Sequence, residues 1–179
     1  SGDPSFVSDP QPDLLRPSYT QNKDTHTFDE LAKETSKKNI SKIVNLDIDS
    51  TWFQLDTTNP EWKSKNSQVG ALGSLLVNEG YESKEVSKEP ILHAANQLKQ
   101  VFSKYSIEVG SINIVKTIDG NNTLDKTELI GMTKSAPIEK LISNTLKTSN
   151  NIYAEQLLIA AAHKKNGNVT QSALTKFMD

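Results

Sequence analysis

Apolar positions along this 179-residue chain recur in two spacings, one suited to helices and one to strands, separated by polar, turn-rich runs. The first 27 residues hold Pro4, Pro10, Pro12 and Pro17, with only Phe6-Val7 and Leu14-Leu15 to bury. They read as an extended segment laid over another part of the molecule. Thr27 and Glu30 have the spacing of a capping box, and Phe28, Leu31 and Ala32 follow at helical intervals, predicting a helix to about Lys38. Val44, Leu46 and Ile48 alternate within Ile43–Ile48, which predicts a short strand. Residues 51–68 are irregular, with Trp52, Phe53, Pro60 and Trp62. Val69–Val77 is apolar and interrupted by Gly70 and Gly73, suiting a buried strand or turn, and Gly80–Lys88 is polar.

The clearest helix opens at Pro90, where Ile91, Ala95, Leu98, Val101 or Phe102, and Tyr105 make one stripe. Ile107–Ile118 is rich in β-branched residues, and Gly110 is expected to break it into two strands or a hairpin. Ser135 is the expected N-cap of a helix with Pro137 in its first turn and Ile138, Leu141, Ile142 and Leu146 on one face. After a break at Thr148-Ser149-Asn150, a second helix runs from Ile152 to His163, closed by Lys164, Lys165 and Gly167. Thr170 is expected to cap a last helix through Phe177. No internal repeat is present.

Composition narrows the possibilities. Leu, Ile, Val and Phe make up 44 residues, enough for a core but a thin one beside 49 Ser, Thr and Asn. No apolar run approaches the ~18 residues of a membrane-spanning helix. There are 19 Lys and a single Arg, Arg16, with a net charge of −2. Bidentate recognition of phosphate or guanine favours Arg, so nucleic acid is not an expected partner. Zero Cys removes disulfides, thiolate metal sites and a cysteine nucleophile. The chain opens at Ser1-Gly2-Asp3-Pro4 with neither an initiator Met nor a signal peptide, as though trimmed.

Candidate chemistry is sparse. Asp47-Ile48-Asp49-Ser50-Thr51 follows a strand and matches the D-x-D-x-T pattern of haloacid-dehalogenase-type phosphatases, in which Asp47 would be nucleophile, Asp49 general acid, and Mg²⁺ would sit between them. The run lacks a later acidic pair to complete the metal site. Asp119–Asp125 imitates the start of an EF-hand loop but has Leu124 where Gly is required and Ile130 where a bidentate Glu is required. His26, His93 and His163 are scattered at the spacing of surface residues, and no metal site emerges. Gly70 and Gly73 form no phosphate-binding loop. Ser149-Asn150-Asn151 lies between two amphipathic helices, where Ser and Asn serve as caps.

The surroundings of that tripeptide add to its meaning. Ser135-Ala136-Pro137-Ile138, ten residues, and then Ser149-Asn150-Asn151-Ile152-Tyr153-Ala154-Glu155-Gln156-Leu157-Leu158 resemble the D-alanyl-D-alanine carboxypeptidase/endopeptidase family of low-molecular-mass class C penicillin-binding proteins. There a proline-led helix ends in Ser-x-Asn and the next begins with an aromatic-Ala-Glu step. Gly2-Asp3-Pro4-Ser5 resembles the family's Gly-Asp-Pro-Thr/Ser strand end, and Ile43–Phe53 its strand ending in Asp-Asp-Ser-x-Phe, which gives Asp47 and Asp49 a structural role. Pro90–Val109 resembles its helix followed by a Gly-Ile-x-Val-type strand. Four segments agree in order.

The resemblance implies a mixed α/β (α+β) fold: an insertion domain of strands plus two helices over residues 1–115, and over 116–179 the helical part of a penicillin-binding, β-lactamase-like transpeptidase domain. Ser149 would relay a proton between the acyl-transfer nucleophile and the leaving amine, and Asn151 would bind the substrate's backbone amide. The substrate would be a peptidoglycan stem peptide in the periplasm or cell envelope, with β-lactams as inhibitors of the intact parent and no cofactor. The family also requires Ser-x-x-Lys and Lys-Thr/Ser-Gly. No Ser here has Lys three residues on, and no Lys precedes Thr-Gly or Ser-Gly. The expectation is therefore an internal segment, truncated at both ends and inactive alone. A non-catalytic envelope scaffold of the same fold, with Trp52, Phe53 and Trp62 packing on a partner or glycan, is the alternative.

Overall fold

The computed structural model describes residues 3–8, 24–57, 70–83, 85–116 and 128–178. Its centre is a strand–helix–strand unit. Strand β1 (Lys42–Asp49) and strand β5 (Glu108–Val115) pair in parallel, with Ile43 opposite Val109 and Ile48 opposite Ile114. Two parallel neighbours require a crossover, and helix α2 (Pro90–Lys104) forms part of it. Pro90 starts this helix where its missing N–H costs nothing. Ile91, Ala94, Ala95, Leu98, Val101 and Phe102 are then buried along one side, each large one contributing about 1.5–3 kcal/mol. Ala94, Leu98, Val101 and Phe102 meet Ile107, Val109, Val77, Ala32 of helix α1 (Asp29–Lys37), Phe28 and Phe6, while Ile91 and Ala95 pack with Ile48 of β1.

Of the first 27 residues, the described 3–8 and 24–27 pack on the core. Phe6 and His26 form a parallel bridge, and Ser5, Phe6 and Val7 are buried. Helix α1 ends within a residue of expectation, but the capping box is absent. The Thr27 hydroxyl exchanges hydrogen bonds with Asp29, and the Glu30 carboxylate accepts instead from the Thr133 hydroxyl at 3.1 Å.

Strand β1 departs from simple alternation. Ile48 is buried and Leu46 half-buried, yet Val44 is 66% exposed and Ile43 packs on the core in its place. The irregularity faces Gly110, whose backbone approaches so closely that a Cβ there would lie 2.4 Å from the Val44 carbonyl oxygen. Gly110 therefore does not break β5, as its sequence suggested; it lets one continuous strand form.

A second core joins the C-terminal helices. Strand β2 (Phe53–Gln54) pairs in parallel with β6 (Val169–Thr170), and Phe53, Leu72, Ile159, Ala162, Val169 and Leu174 pack together. Helices α3 (Ile138–Thr148), α4 (Asn151–Asn166) and α5 (Gln171–Met178) follow one another. The Thr170 hydroxyl caps α5 by accepting from the Ala173 N–H at 3.1 Å. Ser135 does not cap α3, which starts after Pro137 without a side-chain cap. Of its predicted apolar face only Leu141 is buried; Ile138, Ile142 and Leu146 are exposed.

Residues 70–77 run between the cores without regular structure, and Ala71, Leu72, Ser74, Leu76 and Val77 are buried there. The run ends in a 3₁₀ turn, Asn78–Gly80, and continues into the antiparallel pair β3 (Tyr81–Glu82) and β4 (Glu85–Val86). Leu14, Leu15, Trp62 and the EF-hand-like run Asp119–Asp125 lie outside the described residues.

Candidate functional site

The junction between α3 and α4 takes its shape from three consecutive residues. Ser149 ends α3 with φ 50°, ψ 44°, a left-handed conformation rare for a residue with a Cβ. The Asn150 N–H still reaches back to the Thr145 carbonyl at 3.1 Å. Asn150 then turns extended and becomes the N-cap of α4, its Oδ1 accepting from the Tyr153 N–H at 3.1 Å. The capping role read from Ser and Asn at a helix break therefore falls to Asn150.

Exposure alternates across the same three positions. Ser149 and Asn151 are exposed, whereas Asn150 is buried between them. Ile152 and Tyr153, both inaccessible, root the first turn of α4 beneath the junction. One turn on, buried Gln156 donates to the Gly73 carbonyl at 3.4 Å, tying α4 to the segment between the cores. The Asn150 Nδ2 donates to Oε1 of Glu79 at 2.6 Å, across 71 positions of sequence. Glu79 is itself only 1% exposed. The one local signal for this carboxylate was a Glu between Asn78, which follows the apolar run Leu75-Leu76-Val77, and Gly80.

Chemically, the junction offers a hydroxyl that donates and accepts at once and, two residues on, a primary amide that does the same. Both are presented outward from a buried base. Glu155, on the first turns of α4, is half-buried, and that burial raises its carboxyl above the usual range.

The remaining sequence candidates are placed elsewhere in the fold. Asp47 is exposed on β1 and accepts from the Asn113 side-chain amide at 2.7 Å. Asp49 is exposed and closes a turn by accepting from both the N–H and the hydroxyl of Thr51, at 2.9 and 2.7 Å. Among the described residues, no three His, Asp or Glu side chains are grouped so as to hold a metal.

The histidines correct the expectation of three surface residues. The His26 side chain is largely enclosed and lies 3.3 Å from Asp3, and His93 is similarly enclosed beside Glu82. His163 stacks on Trp52 at 4.4 Å between centroids and contacts the Gly167 carbonyl. A cleft of about 630 Å³ opens beside Trp52 and His163, lined also by Ile138, Leu141 and Gln156 among others. Ser149 and Asn151 are not part of its wall.

No helix among the described residues is long and apolar enough to cross a membrane. No curated protein matches the chain. A family model described as D-Ala-D-Ala carboxypeptidase 3 (S13) matches residues 73–178. The match starts in the buried segment between the cores and takes in α2, β5, the whole α3–α4 junction and α5. It includes the segments Pro90–Val109 and Ser135–Leu158 that carry the sequence resemblance, while Gly2–Ser5 and Ile43–Phe53 precede it. Covering more than half of the sequence, that match establishes that the chain belongs to the D-Ala-D-Ala carboxypeptidase 3 (S13) family.

Proposed function

We propose that this chain is the part of a serine-type D-alanyl-D-alanine carboxypeptidase that presents Ser149 and Asn151 to peptidoglycan stem peptides. The supporting observation is the junction itself: a left-handed, exposed Ser149 and an exposed Asn151 flank a buried, doubly bonded Asn150, inside the family-matched residues. In the reaction, a serine oxygen attacks the carbonyl carbon of the penultimate D-alanine and the C–N bond to the terminal D-alanine breaks. The Ser149 hydroxyl passes a proton to the departing amine. Asn151 hydrogen-bonds the substrate's backbone amide and holds the scissile bond in line. Water then hydrolyses the acyl-serine ester.

The attacking serine is expected in a Ser-x-x-Lys motif, which these 179 residues do not contain. We assign it to the parent polypeptide outside this chain, together with the Lys-Thr-Gly motif. The division into an insertion domain (1–115) and a transpeptidase-like helical part (116–179), and a place in the periplasm or cell envelope, belong to the same reading.

A fluorescent penicillin tests it. The parent polypeptide is expected to be labelled and the 179-residue chain alone is not. Ser149→Ala and Asn151→Ala in the parent are expected to slow acylation by about 10²-fold or more, the range of a lost acid–base group. Both positions are exposed, so the melting temperature stays within about 2 °C of wild type. A parent that never labels, or labels at an unchanged rate in both variants, overturns the proposal.

A further inference from the structure

Glu79 occupies a backbone conformation that its surroundings impose. Asn78, Glu79 and Gly80 all have positive φ, at 53°, 55° and 79°. Left-handed geometry is unfavourable for residues with a Cβ and persists only where neighbours over-determine it. Here they do. The Asn78 N–H donates to the Phe6 carbonyl at 2.9 Å, and the Asn78 side chain exchanges hydrogen bonds with Ser8. The Glu79 carbonyl accepts from the Ala71 N–H at 3.1 Å, and the Gly80 carbonyl accepts from the Ser87 N–H at 2.9 Å. Gly70 passes so near that a Cβ on it would lie 2.1 Å from the Glu79 carbonyl oxygen.

This held turn delivers one carboxylate oxygen to Asn150. With Nδ2 engaged by Glu79 at 2.6 Å, the amide has one orientation, and its Oδ1 is left facing the Tyr153 N–H. Asn150 is bonded at both ends of its side chain, so the backbone on either side is fixed where Ser149 and Asn151 emerge.

We propose that Glu79 is a positioning residue for the Ser149/Asn151 pair, acting through Asn150. The catalytic consequence rests on the carboxypeptidase reading above; the structural part does not, and each is tested separately.

Hydrogen exchange by NMR on the 179-residue chain tests the structural part. Glu79→Met keeps the bulk and removes the acceptor, whereas Glu79→Gln retains an acceptor oxygen. The Met variant is expected to raise exchange at the Tyr153 amide by about tenfold or more, as loss of a buried acceptor implies. Leu98 in α2 is the unaffected control, and Gln restores most of the protection. Unchanged Tyr153 protection in a natively folded Met variant overturns the proposal.

Should the Met variant not fold, the wild-type spectrum decides. The Asn150 side-chain amide protons are expected to exchange far more slowly than those of exposed Asn151, and equal rates overturn the proposal. In the acylating parent, Glu79→Met is expected to lower the acylation step about tenfold with initial penicillin binding unchanged, and Gln to recover it. Unchanged acylation overturns the positioning role. A protected Asn150 in a parent whose wild type never acylates supports the structural part and refutes the carboxypeptidase reading.

Discussion

Ser5, Asp3 and His26 show how a few side chains hold the N-terminal segment in place. The buried Ser5 hydroxyl donates to Asp3 Oδ1 at 2.6 Å, and the Ser5 N–H donates to the same oxygen at 2.9 Å. The same hydroxyl shares a hydrogen bond with His26 Nδ1 at 3.0 Å, and His26 Nε2 lies 3.3 Å from the other Asp3 oxygen. Burial lowers the His26 pKa below 6.5, and the nearby Asp3 and Glu30 charges offset this only in part. The unfolded histidine therefore takes up its proton at a higher pH than the folded one. Between those two values the unfolded state binds more protons, so stability falls as pH drops through 6.5 and levels off below the folded pKa. Thermal melts from about pH 7.5 to about 5.0 are expected to show a steeper decline for wild type than for His26→Gln. Parallel curves for the two proteins would remove His26 as the cause.

At the scale of elements, Gly110 decides whether β1 and β5 close into one pair. Gly110→Ala places a methyl group 2.4 Å from the Val44 carbonyl and is expected to cost about 1–3 kcal/mol, the range for overpacking. Urea unfolding with an unchanged slope checks this, and an undiminished midpoint would show that the strands separate freely there. The same glycine explains what the sequence conceals: in isolation it signals a weak strand, and only the neighbouring backbone reveals that a side chain cannot fit. Helix α2 was legible because six buried apolar residues repeat at helical spacing around a Pro start. The Asn150 cap was legible for a similar reason, since its partner lies three residues away. Glu79 was not, because its partner is 71 positions distant and contacts of that separation leave no local pattern. Helix α3 misled in the opposite sense: its apolar periodicity is real, but three of the four residues on that face remain exposed.

Over the whole molecule, that exposed face leaves α3 with less burial behind it than its neighbours α2 and α4. Leu141 is its one buried residue, at 4% exposure, against seven in α2 and five in α4. Polar contacts from Asp24 add to it, accepting from Asn144 at 3.0 Å and lying 3.6 Å from Lys140. The ion pair reaches an exposed Lys140 and contributes little, so the position of α3, and with it the approach to Ser149, depends on Leu141 and the part-buried Asp24–Asn144 hydrogen bond. Two substitutions of the same chemistry separate these contributions. Leu141→Ala is expected to destabilise the chain by about 2–4 kcal/mol through lost burial and the cavity left behind. Leu146→Ala, further along the helix and 75% exposed, is expected to change stability by no more than about 0.5 kcal/mol. Urea midpoints on the two variants provide the comparison. Equal losses would mean that the outer face of α3 is covered in solution, and a negligible loss at Leu141 would mean that α3 is held by its polar contacts instead.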